Sequence, residues 1–76
     1  MIAQGSGADL TGSNLWVANL SGANLTQADL TGAYLSGTNL KGANLTGAMM
    51  LTAHLSGTDL TNAELIETDL TDAHMR

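Results

Sequence analysis

Ala23-Asn24-Leu25-Thr26-Gln27-Ala28-Asp29-Leu30-Thr31-Gly32 decides the fold. It is one five-residue phrase spoken twice: a small residue, Asn or Asp, Leu, Thr, then Gln or Gly. Working outward, Leu recurs at 10, 15, 20, 25, 30, 35, 40, 45, 55, 60, 65 and 70, with Met50 and Met75 in the two remaining slots. That makes fourteen consecutive units from Ala8 to Met75 without an insertion. Two residues before each Leu or Met stands Ala, or one of Ser13, Thr38, Thr58 and Thr68.

On an α-helix, five residues turn about 500°, so successive Leu would drift around the axis and form no stripe. A helix is excluded. In extended backbone, residues two apart share a face, which points Ala28 and Leu30 one way and Asp29 the other. Five is odd, so an unbroken strand would flip the next Leu outward. The chain must therefore turn between units, and the Thr-Gly pairs supply the corner. Each unit is expected to be a very short strand plus a corner. Repeated, it winds a coil with Ala and Leu inside and parallel backbone pairing about 4.8 Å apart between coils. The outward residue tests how many units close a turn. At a spacing of 20, four of ten pairs are identical, namely Asp9/Asp29, Asn19/Asn39, Asn24/Asn44 and His54/His74. At 15, only Asn24/Asn39 of eleven pairs matches, which favours four units per turn.

The motif Ala-Asp/Asn-Leu-x-x resembles the pentapeptide-repeat family, over about 70 of the 76 residues. The resemblance implies an all-β fold, a right-handed quadrilateral parallel β-helix of about 3.5 coils for fourteen units. The expected layout is a short lead-in over 1–7 and a β-solenoid over 8–76. Predicted core residues are Leu10, Leu15, Leu20, Leu25, Leu30, Leu35, Leu40, Leu45, Met50, Leu55, Leu60, Leu65 and Leu70. Departures from the motif sit at Ala48-Met49-Met50-Leu51-Thr52 and Ser13-Asn14-Leu15-Trp16-Val17, and neither breaks the period.

With no Cys there is no disulfide framework and no thiolate metal site. The formal charge of −5 argues against direct nucleic-acid binding, which needs a basic footprint. No apolar run is long enough to span a membrane. Met1–Gly7 shows neither a basic n-region nor an apolar h-region, so no signal peptide is expected. The cytoplasm is the default address, with secretion left open.

Candidate sites are surface features. The outward column Asp9, Asp29, Met49, Asp69, with Asp59, Glu64, Glu67 and Asp72, forms a possible acidic surface. Several members of the resembled family imitate B-form DNA and bind type II topoisomerases such as DNA gyrase, which the resemblance carries here as an alternative function. A second column, Asn14, Tyr34, His54, His74, reads as stacked surface aromatics. Two His do not make a metal site, and no metal or cofactor is expected. Trp16, Val17, Tyr34, Met49, Leu51 and Ile66 form a possible partner surface, with Leu51 and Ile66 near one edge of the prism. Asn19, Asn24 and Asn44 head glycosylation-type triplets that the repeat generates automatically. Ser and Thr occupy repeat positions without a poised base, so no enzyme activity is expected. Solenoid ends need covering, and no cap is visible in the pattern. The expected function is a small structural or protein-interaction solenoid that self-associates through its coil ends, as a dimer or a head-to-tail fibre. Family members commonly dimerise through terminal coils, which the resemblance adds to the dimer reading.

Overall fold

The structure is a computed structural model that describes residues 5–75. Residues 1–4 of the expected lead-in, and Arg76, lie outside the described residues. Every outward middle residue pairs in parallel with the residue 20 positions on, from Asp9–Asp29 through His54–His74. Four units therefore make one turn, as the spacing of identical residues indicated. Among the described residues these pairings are single bridges, so each unit contributes one rung where a very short strand was expected. The reason lies in the unit itself: a corner at both ends leaves one residue between them fully extended.

Each corner is closed by an N–H donating to the carbonyl three residues back, as in Ala33 N to Leu30 O at 2.9 Å. The residue before the donor is left-handed at all fourteen corners, the dihedral a type II turn places there. Glycine takes eight of these positions, and Val17, Gln27, Thr52, Asn62, Glu67 and Asp72 take the rest. Three hydrogen bonds per unit tie one turn to the next, shown by Leu30 N to Met49 O, Gly32 N to Leu51 O and Met49 N to Ala28 O. Among the described residues the pairing starts at Gly5, whose N–H donates to Asn24 O at 2.7 Å. Gly5 occupies a Leu slot, and a Cβ there would meet Leu25 Cδ2 at 2.9 Å.

The interior is aliphatic. Leu25, Leu30, Leu35, Leu40, Leu45, Met50 and Leu55 are buried together with Ala23, Ala28, Ala33, Ala43, Ala48 and Ala53. Thr38 is buried as well, its hydroxyl donating to Leu15 O, and Thr58 and Thr68 make the same bond to Leu35 O and Leu45 O at 2.6 and 2.7 Å. An interior hydroxyl thus bonds across the turn without leaving an orphan. Leu10, Leu15, Leu20, Leu60 and Leu70 are only partly buried against this core. Leu65 departs from the expectation, being 37% exposed. Its sequence slot matches that of Leu25 and Leu45, but among the described residues no turn follows the one at 56–75 to cover it. Burial here is conferred by neighbouring turns, so it fades toward both ends.

Candidate interaction surface

The 20-residue register lays out four faces. One carries Asn14, Tyr34, His54 and His74, and its rungs hold successive side chains in the same orientation. Tyr34 and His54 stack with ring centroids 4.6 Å apart and planes 5° from parallel. His54 and His74 follow at 5.1 Å and 6°. The stacked aromatics expected of this column are present. Above Tyr34 the rung is Asn14, and its place in the file is taken from the corner: Trp16 meets Tyr34 edge-on, at 6.2 Å and 85°. Four rings therefore run along the axis. Each aromatic contact of this kind contributes about 0.5–1.5 kcal/mol beyond burial.

The corner that delivers Trp16 is unusual. Asn14 Oδ1 accepts from the Trp16 N–H at 3.3 Å, as Asx residues do before most corners of this chain. Val17 then adopts φ 59, a left-handed conformation that is an outlier for a β-branched residue. Trp16 is 59% and Val17 78% exposed, so neither is held there by the core. Strain combined with apolar exposure marks this corner as a candidate site.

The remaining members of the expected partner surface divide. Tyr34, Met49 and Ile66 are exposed. Leu51 is half-buried, as are Thr31, Thr46 and Ser56 in the same slot of the repeat, so it offers less surface than Trp16 or Ile66. Leu51 and Ile66 also do not share an edge: Gly32 N donates to Leu51 O and Gly47 N to Ile66 O, which places them at neighbouring corners. The register puts Met49 on the face between those corners. The apolar set therefore occupies two adjoining faces and their three corners, while the other two faces carry Asn19, Asn39, Asp59 and Asn24, Asn44, Glu64.

The acids form no continuous stripe. Met49 interrupts Asp9, Asp29 and Asp69, and Asp59 and Glu64 stand on the two polar faces. Glu67 and Asp72 sit at corners with φ 56 and 58. Thr11 holds the Asp9 carboxyl below the usual carboxylate range, by its hydroxyl first and its backbone N–H second. Thr61 and Thr71 do the same for Asp59 and Asp69, with Lys41 adding a small attraction to Asp59. The hydroxyl bonds measure 2.8, 2.6 and 2.5 Å. These carboxylates are thus turn-builders as well as surface charges. Among the described residues no three His, Asp or Glu converge as metal ligands. Asn19, Asn24 and Asn44, the heads of the glycosylation-type triplets, accept from the N–H two residues on at 3.1, 3.2 and 3.0 Å.

Trp16 was expected as surface, but not as the head of the aromatic file. The available signal was its position two residues after Asn14, at the rim of the column that Tyr34 occupies one turn later.

A family model described as pentapeptide repeats matches residues 6–42, 18–50 and 38–76. A pentapeptide repeat protein from the Arabidopsis thaliana thylakoid lumen superposes with a TM-score of 0.95 at 30% identity, over 97% of this chain. The chain spans 51% of that protein's length. A pentapeptide repeat protein from Nostoc PCC 7120 gives a TM-score of 0.67 at 34% identity, covering 97% of this chain and 67% of the other. One from the cyanobacterium Cyanothece 51142 gives 0.63 at 34%, covering 91% and 60%. Among curated proteins, none matches the sequence. Among the described residues, no helix is long and apolar enough to cross a membrane.

Proposed function

The chain belongs to the pentapeptide-repeat family, and from that premise we propose that it is a non-enzymatic structural and protein-interaction solenoid, a right-handed quadrilateral β-helix that self-associates through its end turns. The observation that carries this reading is the gradient of burial along the axis. Leu25 through Leu55 are at most 3% exposed, whereas Leu65 is 37% and Met75 56% exposed. Among the described residues the turn at 56–75 is the less enclosed one, and apolar side chains left partly open along a solenoid are what edge-to-edge association covers. Right-handedness rests on the family and on the chirality of L-residues.

Light scattering over a concentration series tests the proposal. A mass above the monomer that rises with concentration is expected, and a monomer mass up to millimolar concentration would overturn it. The faces bearing Trp16, Val17, Tyr34 and Met49 are proposed as the surface offered to another protein. Replacing Trp16 and Val17 by the Thr-Gly of neighbouring corners should abolish capture of such a partner without changing the self-associated mass.

The alternative, an acidic DNA mimic binding a type II topoisomerase such as DNA gyrase, is motivated by the net charge of −5. The interruption of its column at Met49 weighs against it. A supercoiling assay unaffected at tens of micromolar chain would remove it. A cytoplasmic address is part of the leading proposal; recovery of the chain in a lumenal fraction, the compartment of the Arabidopsis protein, would replace it.

A further inference from the structure

We infer that the aromatic file and the face beside it form a docking strip for an extended, arginine-bearing segment of another protein. The inference rests on the partner surface proposed above and adds the chemistry of what that surface takes. The 20-residue register sets two faces rung against rung, with Asp29 in the unit before Tyr34, Met49 before His54 and Asp69 before His74. Each turn therefore offers a ring on one face and, across the corner, a carboxylate or the Met49 thioether. Trp16, Tyr34 and Met49 are 59%, 41% and 46% exposed, so this apolar material lies open along the side of the solenoid. The carboxylates beside it are already oriented. Oδ1 of Asp29 and of Asp69 accepts from the N–H of Thr31 and of Thr71, at 3.1 and 3.0 Å. Among the described residues neither Oδ2 accepts a hydrogen bond, and neither is buried without one. One oxygen builds the corner, and the other is available to a donor from outside.

Charge selects the occupant. Lys41 is the only Lys or Arg besides Arg76. Gly22 N donates to Lys41 O and Gly42 N to Thr61 O, which places Lys41 on the corner between the two polar faces. That is the one corner of the four that the apolar set does not touch. Among the described residues no Lys or Arg therefore stands on the two faces that carry Asp29, Asp69 and the rings. An acidic segment would be repelled there, and an apolar one would cover the rings but leave the carboxylates unanswered. Arginine answers both. Its aliphatic stem covers apolar surface. Its planar guanidinium stacks on rings and pairs with a carboxylate through two parallel bonds, whereas lysine supplies a point charge. Successive ring centres lie 6.2, 4.6 and 5.1 Å apart, a run that about five extended residues match at about 3.4 Å each.

The test titrates terminally blocked pentapeptides into the chain, followed by Trp16 emission and by calorimetry. One peptide carries arginine at alternate positions with serine between, and two others carry lysine or leucine in place of arginine. Expected are a saturable emission shift with the arginine peptide, weaker binding of the lysine peptide and none of the leucine peptide. Added salt should weaken the arginine peptide several-fold, as exposed charges are screened. Asp29→Asn combined with Asp69→Asn preserves the corners, because Asn24 and Asn44 accept the same N–H in the same slot. That pair should weaken binding about fivefold, and Tyr34→Ala about threefold. Asp59→Asn with Glu64→Gln removes the same charge from the two polar faces and should leave binding unchanged. Circular dichroism establishes that each variant retains the native spectrum. Equal weakening by the two charge pairs shows a response to net charge and overturns the inference. Lysine binding as tightly as arginine also overturns it. Preferred binding of leucine overturns the assigned chemistry while leaving the partner surface intact, and binding of none of the three up to millimolar peptide overturns both.

Discussion

Replacing Leu40 by Ala removes three carbon atoms from a side chain that is 0% exposed. At about 0.8 kcal/mol per buried methylene, the transfer loss alone is roughly 2.4 kcal/mol. The site cannot collapse easily, because hydrogen-bonded backbone surrounds it on all four sides and fixes the spacing of the turns above and below. A cavity contribution is therefore added, placing the total at about 3–5 kcal/mol, the upper part of the range for such substitutions. Leu65→Ala removes the same atoms from a side chain that is already 37% exposed. Scaled for that exposure the transfer loss is about 1.5 kcal/mol, and an open edge leaves no closed cavity. A domain of this size has roughly 4–11 kcal/mol in total, so the first substitution consumes much of it and the second does not. Urea titration followed by Trp16 fluorescence measures both, at a chain concentration where scattering reads monomer. The midpoints should separate in that order with similar m-values. Equal losses at Leu40 and Leu65 would refute the argument that burial is conferred by neighbouring turns.

Acid should weaken the fold through Asp9, Asp59 and Asp69. Their folded carboxyls ionise below the ordinary aspartate value, so their contribution is full above the unfolded value and is lost as pH falls through the folded one. Thr61→Ala and Thr71→Ala should raise the Asp59 and Asp69 titration midpoints seen by NMR; unchanged midpoints would remove the hydroxyls as the cause. Gly37 sits at φ 70, so Gly37→Ala should lower stability by about 1–2 kcal/mol in a urea titration. Val17→Gly should instead be neutral or stabilising by up to about 1 kcal/mol, as relief of left-handed strain offsets the entropy of glycine. Tyr34→Ala removes the ring between Trp16 and His54 and should shift Trp16 emission while lowering stability by roughly 1–3 kcal/mol in excess of burial, for two lost ring contacts. An unmoved emission spectrum would show that Trp16 does not rest on Tyr34.

The period and the inward direction of Leu25 and Leu30 were legible in the sequence because an odd repeat permits few backbones. The four-unit turn was legible through His54/His74 and Asp9/Asp29, pairs that the structure sets on adjacent rungs. What stayed hidden depends on neighbours one turn away. Leu65 reads like Leu25, and what separates them is that, among the described residues, turns lie on both sides of Leu25 but on one side of Leu65. Leu51 stands in a slot that otherwise holds Ser, Thr, Trp, Lys or Ile, and its half-burial, shared with Thr31 and Thr46, comes from the stacking of corners in adjacent turns. Trp16 joins the aromatic file through its side-chain direction, which spacing does not specify. The corners taught a similar lesson. Thr-Gly marked them, yet Val17 and Thr52 adopt the same left-handed dihedral, because the bonded rungs on either side leave the chain no other way round.

The fixed 20-residue register has a consequence for how such a chain can change by insertion and deletion. Its interior is blind to a shift of five, since every unit offers the same inward pair, but its exterior is not. Removal of residues 41–45 would keep each following Leu pointing inward, yet would bring His54 beside Asp29 in place of Tyr34. Every later surface residue would move one face around the axis. Gain or loss of a single unit therefore acts as a dial, re-dealing the side chains displayed together while the packed centre stays as it was. A lineage of such proteins could explore new surfaces in quarter-turn steps, with little selective resistance from the core.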